Sequence, residues 1–157
     1  LNTRADLFGF SRGGLYSVNY TVKNPQTIST LYLDAPVLNV TSWPGGYGAS
    51  ERYPKEWEEC KAVYHLTDET ALSFRGNPID KMEELLKANV KIIMVAGAVD
   101  SVVPYQENGA KLATYYQENN GEIQVIVKPD CDHHPHSLKN PDPIVSYIVH
   151  NFENLKQ

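Results

Sequence analysis

Short, nearly continuous apolar runs separate longer stretches of helical spacing along most of this chain. Ala5–Phe10 reads as a short buried strand. From Arg12 the apolar positions Leu15, Val18 and Val22 fall at i, i+3 and i+7, one face of a helix, and Asn24-Pro25 stops it. Residues 28–33 predict the next strand, ending at Asp34-Ala35-Pro36, and strand–helix–strand implies a right-handed parallel crossover. Residues 77–80 open an amphipathic helix with Ile79, Met82, Leu85 and Leu86 on one face. Lys91–Gly97 is apolar at nearly every position, as a parallel strand covered on both faces should be. Residues 105–120 predict a helix stopped by Asn119-Asn120-Gly121, and residues 122–128 a strand with Ile123, Val125 and Val127 alternating. Residues 143–155 close the pattern as a helix with Ile144, Ile148 and Phe152 on one side.

Residues 37–76 break this rhythm. Ser42-Trp43-Pro44-Gly45-Gly46-Tyr47-Gly48 is a loop by its Pro and Gly content. Pro54 fits the first position of a helix carrying Trp57, Cys60, Val63 and Tyr64, and residues 66–74 suggest a second short one. The expectation is an α/β chain, a parallel sheet of about four strands with helices on both faces. Residues 1–157 form one domain, with residues 37–76 as a cap-like insert over the site. Trp43 and Trp57 fit either the insert's own core or a substrate contact.

Composition narrows the partners. At 157 residues, 41% hydrophobic and 21% charged, the chain can bury one real core. A net charge of −5 with no Lys/Arg cluster argues against nucleic acid or an anionic membrane surface. No apolar run approaches the ~20 residues of a membrane span. Cys60 and Cys131 do not make a disulfide framework, and Cys131 reads as a small buried residue rather than a nucleophile. Asn19-Tyr20-Thr21 and Asn39-Val40-Thr41 fit the glycosylation sequon, which matters only in a eukaryotic secreted protein.

The chemistry sits where the strands end. Gly9-Phe10-Ser11-Arg12-Gly13-Gly14 lies between a predicted strand and helix, the setting of a nucleophile elbow that lifts a serine hydroxyl clear of a sheet. Side chains at Gly9 and Gly13 are expected to collide with the neighbouring strand and helix. Functional groups of an open parallel sheet gather at the carboxyl ends of its strands. The second strand delivers Asp34, the third Asp100, and the fourth Asp132-His133-His134-Pro135-His136. A serine hydroxyl needs a histidine to take its proton, and a carboxylate to fix that imidazole's tautomer. Asp100 is the first choice of acid, with a turn or N-cap role as the alternative; Asp34 is the alternate acid, otherwise a loop-shaping residue. His133 is the first choice of base, His136 the second and His134 the third. A metal site built from Asp132, His133, His134 and His136 is the competing reading of that loop, and it leaves the serine unexplained.

The order Ser, Asp, His is that of α/β-hydrolases. The chain resembles the nucleophile-to-histidine, C-terminal half of that fold. It is most similar to bacterial esterases and prolyl-oligopeptidase-like hydrolases, whose motifs here read Gly9 to Gly14, Asp34 to Val37, Ser42 to Gly46 and His133 to His136. The resemblance implies a serine hydrolase with Ser11 as nucleophile, Asp100 as acid and His133 as base, and with no cofactor and no metal. Asp132 stands where such families often carry glycine. The Arg12 N–H would be one oxyanion donor. By a similar elbow in glucuronoyl esterases, its guanidinium could face the oxyanion or a substrate carboxylate; the alternative is an ion pair with an acid on the cap. The substrate class implied is a carboxylic ester, with acyl or methyl esters on carbohydrate as one form. A prolyl-oligopeptidase-type peptidase and a non-catalytic remnant of the fold are the alternatives. A glycan esterase would be periplasmic or secreted, but the chain itself carries no address.

Leu1 is not Met, and a core strand begins within a few residues, so the chain reads as the later part of a longer protein. The elbow strand would then lack its inner neighbour and one oxyanion donor. An upstream segment or a partner chain is expected to complete the sheet.

Overall fold

A computed structural model describes residues 3–154. Four parallel strands, β1 (Ala5–Phe10), β2 (Ile28–Asp34), β3 (Lys91–Gly97) and β4 (Ile123–Lys128), lie side by side in chain order. Six helices connect and cover them: α1 (Arg12–Lys23), α2 (Pro54–Tyr64), α3 (Asp68–Ala71), α4 (Met82–Lys87), α5 (Gly109–Glu118) and α6 (Asp142–Asn154). The expected end of the last helix, Leu155, lies outside the described residues, as does Leu1.

Strand periodicity sorts the core into two layers. Leu31 and Leu33 of β2 and Ile92 and Met94 of β3 point to one face, packing against Val18 of α1, Leu85 of α4 and Leu112 and Tyr116 of α5. Tyr32, Ile93 and Val95 point to the other and pack against Ile144, Tyr147 and Ile148 of α6. Helices therefore cover both faces. Every residue of β2 is buried, whereas Phe8 and Phe10 of β1 are exposed at the sheet's edge. Each fully buried leucine contributes roughly 1.5–3 kcal/mol.

Three predicted helices are shorter than their apolar spacing implies. Residues 78–80 form a single tight turn before α4, because Asn77 and Asp80 cap each other's backbone there. The helix over 105–120 breaks at Asn108. That side chain accepts from the N–H groups of Leu38 and Asn39 and donates to the Pro104 carbonyl and the Ser42 hydroxyl. Between residues 66 and 74 only Asp68–Ala71 is helical, opened by a Thr67–Thr70 capping box. On α2, Trp57 is buried but Val63 is 70% exposed. The stretch after β2 packs Val37, Val40 and Trp43 against Leu15 and Val103.

The glycines of the elbow differ from expectation in one respect. A Cβ on Gly9 would strike the Ser17 hydroxyl and come within 2.7 Å of the Gly13 carbonyl. A Cβ on Gly13 meets nothing, so the expected clash there is corrected; it is Gly14 whose added Cβ would press into Pro36. Gly9→Ala is therefore expected to cost about 1–3 kcal/mol by overpacking, read by urea unfolding, while Gly13→Ala should be nearly neutral.

Candidate active site

Ser11 is the joint between β1 and α1, with φ 52° and ψ −119°, a left-handed conformation that an L-residue holds only under constraint. The constraint comes from β2 and the turn after it. The Ser11 N–H donates to the Asp34 carbonyl at 2.9 Å, and the Ser11 carbonyl accepts from Gly14 and Val37, each at 2.9 Å. A serine at a helix N-cap ordinarily turns its hydroxyl back on the first helical N–H groups. This one does not cap. Its Oγ lies 2.8 Å from His133 Nε2 instead.

His133 is 6% exposed, and its other nitrogen, Nδ1, lies 2.8 Å from Asp100 Oδ2. Asp100 uses its second oxygen to accept from the N–H groups of Val102 and Val103, at 3.0 and 2.8 Å. One carboxylate thus shapes the loop after β3 and holds the imidazole. The turn contacts expected as the alternative are made by one oxygen, and the other oxygen meets the histidine. With Nδ1–H donated to a carboxylate, the neutral ring presents Nε2 as acceptor to the Ser11 hydroxyl.

The side chains of Asp34, the alternate acid, and His136, the alternate base, pair with each other rather than with the Ser11 hydroxyl. His136 Nδ1 is 2.9 Å from Asp34 Oδ1, and Asp34 Oδ2 accepts from the Ser137 N–H at 2.7 Å and the Tyr32 hydroxyl at 2.6 Å. Asp34 is 1% exposed, so these donors offset its burial. Burial, then the bond to Asp34, raises the Tyr32 phenol well above its usual range, so it stays a donor. His134 is exposed and makes ring contacts to both other histidines, centroids 4.8 Å apart in each case.

Asp132 has a role the sequence did not reveal. It accepts from the Ser101 N–H and hydroxyl and from the His133 N–H, and so ties the loop bearing Asp100 to the loop bearing His133. The Ser101 N–H, then the His133 N–H and the Ser101 hydroxyl, hold its carboxyl below the usual range. The signal was local: an aspartate immediately before the histidine can bond that histidine's own N–H. Gly97 permits the approach of these loops, since a Cβ there would strike the Cys131 and Asp132 carbonyls.

The Arg12 guanidinium stacks 5.2 Å from the Trp43 ring centre. Both residues line a cavity of about 130 Å³ with Leu15, Val40, Cys60 and Tyr64. Trp43 is buried, its indole N–H has no hydrogen-bond partner among the described residues, and Tyr53 packs on it at 5.7 Å. Burial pushes the Cys60 thiol up to about 11, against the pull of Arg12, so it is no nucleophile at neutral pH. Cys131 is a free thiol, and half-buried rather than buried as expected.

A parallel sheet with helices on both faces and a serine lifted on a strained strand–helix joint defines the α/β-hydrolase fold. Residues 2–154 match the prolyl oligopeptidase family, and the chain belongs to it. Solved structures agree on the fold. The acylaminoacyl peptidase of Pyrococcus horikoshii superposes with a TM-score of 0.62 at 10% identity, over 83% of this chain and 20% of that one. An α/β hydrolase enzyme from the metagenome of lagoon sediments at Mar Chica, Morocco, gives 0.57 at 15% identity, over 99% and 64%. Acetyl xylan esterase 1 from Thermoanaerobacterium sp. JW/SL YS485 gives 0.60 at 18%, over 96% and 46%. This chain thus spans less than two thirds of each of these proteins. No curated protein matches it significantly.

A carboxyl whose folded-state pKa is depressed adds stability above its unfolded pKa of ~3.9 and loses it as pH falls through the folded value. Asp132→Asn should therefore be less stable than wild type at pH 6, with the gap closing as pH drops below about 4. Urea unfolding at a series of pH values measures this.

Proposed function

We propose that this chain carries the nucleophile, base and acid of a serine hydrolase that cleaves carboxylic esters through an acyl-enzyme. The observation that carries the reading is the continuous relay from Ser11 through His133 to Asp100, with both links at 2.8 Å. As Ser11 Oγ attacks the acyl carbon, His133 Nε2 takes its proton, and Asp100 stabilises the imidazolium that forms. The same imidazole then protonates the leaving alkoxide. In the second half-reaction it takes a proton from water, whose oxygen attacks the acyl carbon, and gives that proton to Ser11 Oγ as the acid is released. No cofactor enters either step.

The developing oxyanion needs donors. The N–H of Arg12 is one of the first in α1, which have no intrahelical acceptor, and it sits beside Ser11 at the positive end of that helix. A second donor, and cover for Phe8 and Phe10 on the β1 edge, would come from an upstream segment or a partner chain. Lacking one oxyanion donor costs on the order of a hundredfold or more in rate. The chain alone should therefore be slow on a p-nitrophenyl ester compared with an assembly that covers this edge.

The cavity under Arg12 and Trp43 favours a small acyl group or an ester carried on carbohydrate. Its wall is largely apolar and aromatic, with the Arg12 guanidinium and the Glu56 and Glu59 carboxylates as its charged groups. Residues 37–76, which supply Trp43, serve in this reading as a cap. Membership of the prolyl oligopeptidase family favours a second reading, a peptidase using the same relay. Comparing acetylated sugars with prolyl amides separates the two.

Ser11 should react with a fluorophosphonate probe, and Ser11→Ala should abolish the labelling. Asp100→Asn, which leaves the shape but reverses the tautomer preference, should slow ester hydrolysis by about 10⁴. Labelling that persists in Ser11→Ala would sink this reading.

A further inference from the structure

The loop after β4 holds more imidazole than a serine relay needs. One ring nitrogen from each of His133, His134 and His136 lies within 4.8 Å of the other two. We propose that these three side chains form a binding site for a single divalent transition-metal ion of the zinc class, and that the bound ion silences Ser11.

The second shell supports this as strongly as the cluster does. Metal-bound histidines characteristically donate their other ring N–H to a carboxylate, which fixes the tautomer and raises ligand basicity. Two of the three already do so: His133 Nδ1 lies 2.8 Å from Asp100, and His136 Nδ1 lies 2.9 Å from Asp34. Both aspartates are buried. A ring whose Nδ1 faces its aspartate directs Nε2 away from that carboxylate. Among the described residues His134 has no such carboxylate anchor, and it is exposed.

The distances suit capture by a small rearrangement. Zn–N bonds of about 2.0–2.1 Å set neighbouring ligand nitrogens about 3.3 Å apart in a tetrahedron. The triangle must therefore contract by about 1.5 Å at its widest. His134, which is exposed, and His136, with 20% of its side chain exposed, can supply that movement. A water completes the fourth position. Three imidazoles suit zinc, copper or nickel, whereas magnesium and calcium prefer oxygen ligands. Asp132, a member of the metal set considered from sequence, is not one of these ligands. Its carboxylate is taken by Ser101 and the His133 N–H.

Silencing follows from economy of nitrogens. His133 has two, one engaged by Ser11 and the other by Asp100. Coordination through either replaces one link of the relay with a metal bond, and neutral imidazole binds without releasing a proton. This consequence rests on the serine hydrolase reading; the binding itself does not.

Calorimetric titration of the untagged full chain with zinc chloride tests the site. One ion per chain is expected, with affinity at least tenfold weaker in His134→Gln and in His136→Gln, not weakened in Ser11→Ala, and no binding of magnesium. In parallel, saturating zinc should slow fluorophosphonate labelling of Ser11 at least tenfold, and a chelator should restore it. His134→Gln should label like wild type without zinc and need at least tenfold more zinc to be slowed. Zinc affinity unchanged in both histidine variants overturns the site, and labelling indifferent to saturating zinc overturns the silencing. A chain that takes no label even without zinc counts against the hydrolase reading instead, and the calorimetry still decides the metal.

Discussion

Two buried carboxylates at the ends of neighbouring strands organise this site. Asp34 ends β2 and Asp100 follows β3, and each holds the Nδ1 of one imidazole from the loop after β4. Each is almost wholly withdrawn from water, so its oxygens need hydrogen-bond donors from the protein. Each is therefore compensated by backbone N–H groups: Val102 and Val103 for Asp100, and Ser137, with the Tyr32 hydroxyl, for Asp34. The carboxylates thus fix three loops at once. Removing either would leave several buried donors without an acceptor, a cost paid in fold as well as in chemistry.

The strained serine depends on the same frame. Its left-handed backbone is held by hydrogen bonds to Asp34, Gly14 and Val37, and the absence of side chains at Gly9 and Gly14 lets α1 close against β1 and against Pro36. Strain at the joint aims the hydroxyl away from its own helix and toward His133. Asp34 thus serves twice, its carbonyl holding the elbow and its carboxylate holding the neighbouring histidine.

Much of this was legible in the sequence, because the strands are apolar runs and the candidate site residues follow them directly. β1, α1, β3 and β4 begin or end within a residue or so of where periodicity puts them. What periodicity could not show was where side chains override it. Asn108 fits the apolar rhythm around it, yet its amide is spent on the backbone of residues 38 and 39, and the helix starts one residue later. Gly13 looks as constrained as its neighbour, but only Gly14 meets Pro36, a contact that depends on a residue more than twenty positions away. The choice among three histidines likewise lay in tertiary geometry. Both His133 and His136 have a buried aspartate, and only distance to Ser11 separates them.

That separation is the most direct test of the account. The rate at which Ser11 is phosphonylated should collapse by about a hundredfold or more when His133 is replaced by glutamine, since the proton acceptor is gone. It should remain within about tenfold of wild type in His136→Gln, whose imidazole serves Asp34 and not the serine. The opposite ranking, with His136 essential and His133 dispensable, would contradict the relay on which the proposed chemistry rests.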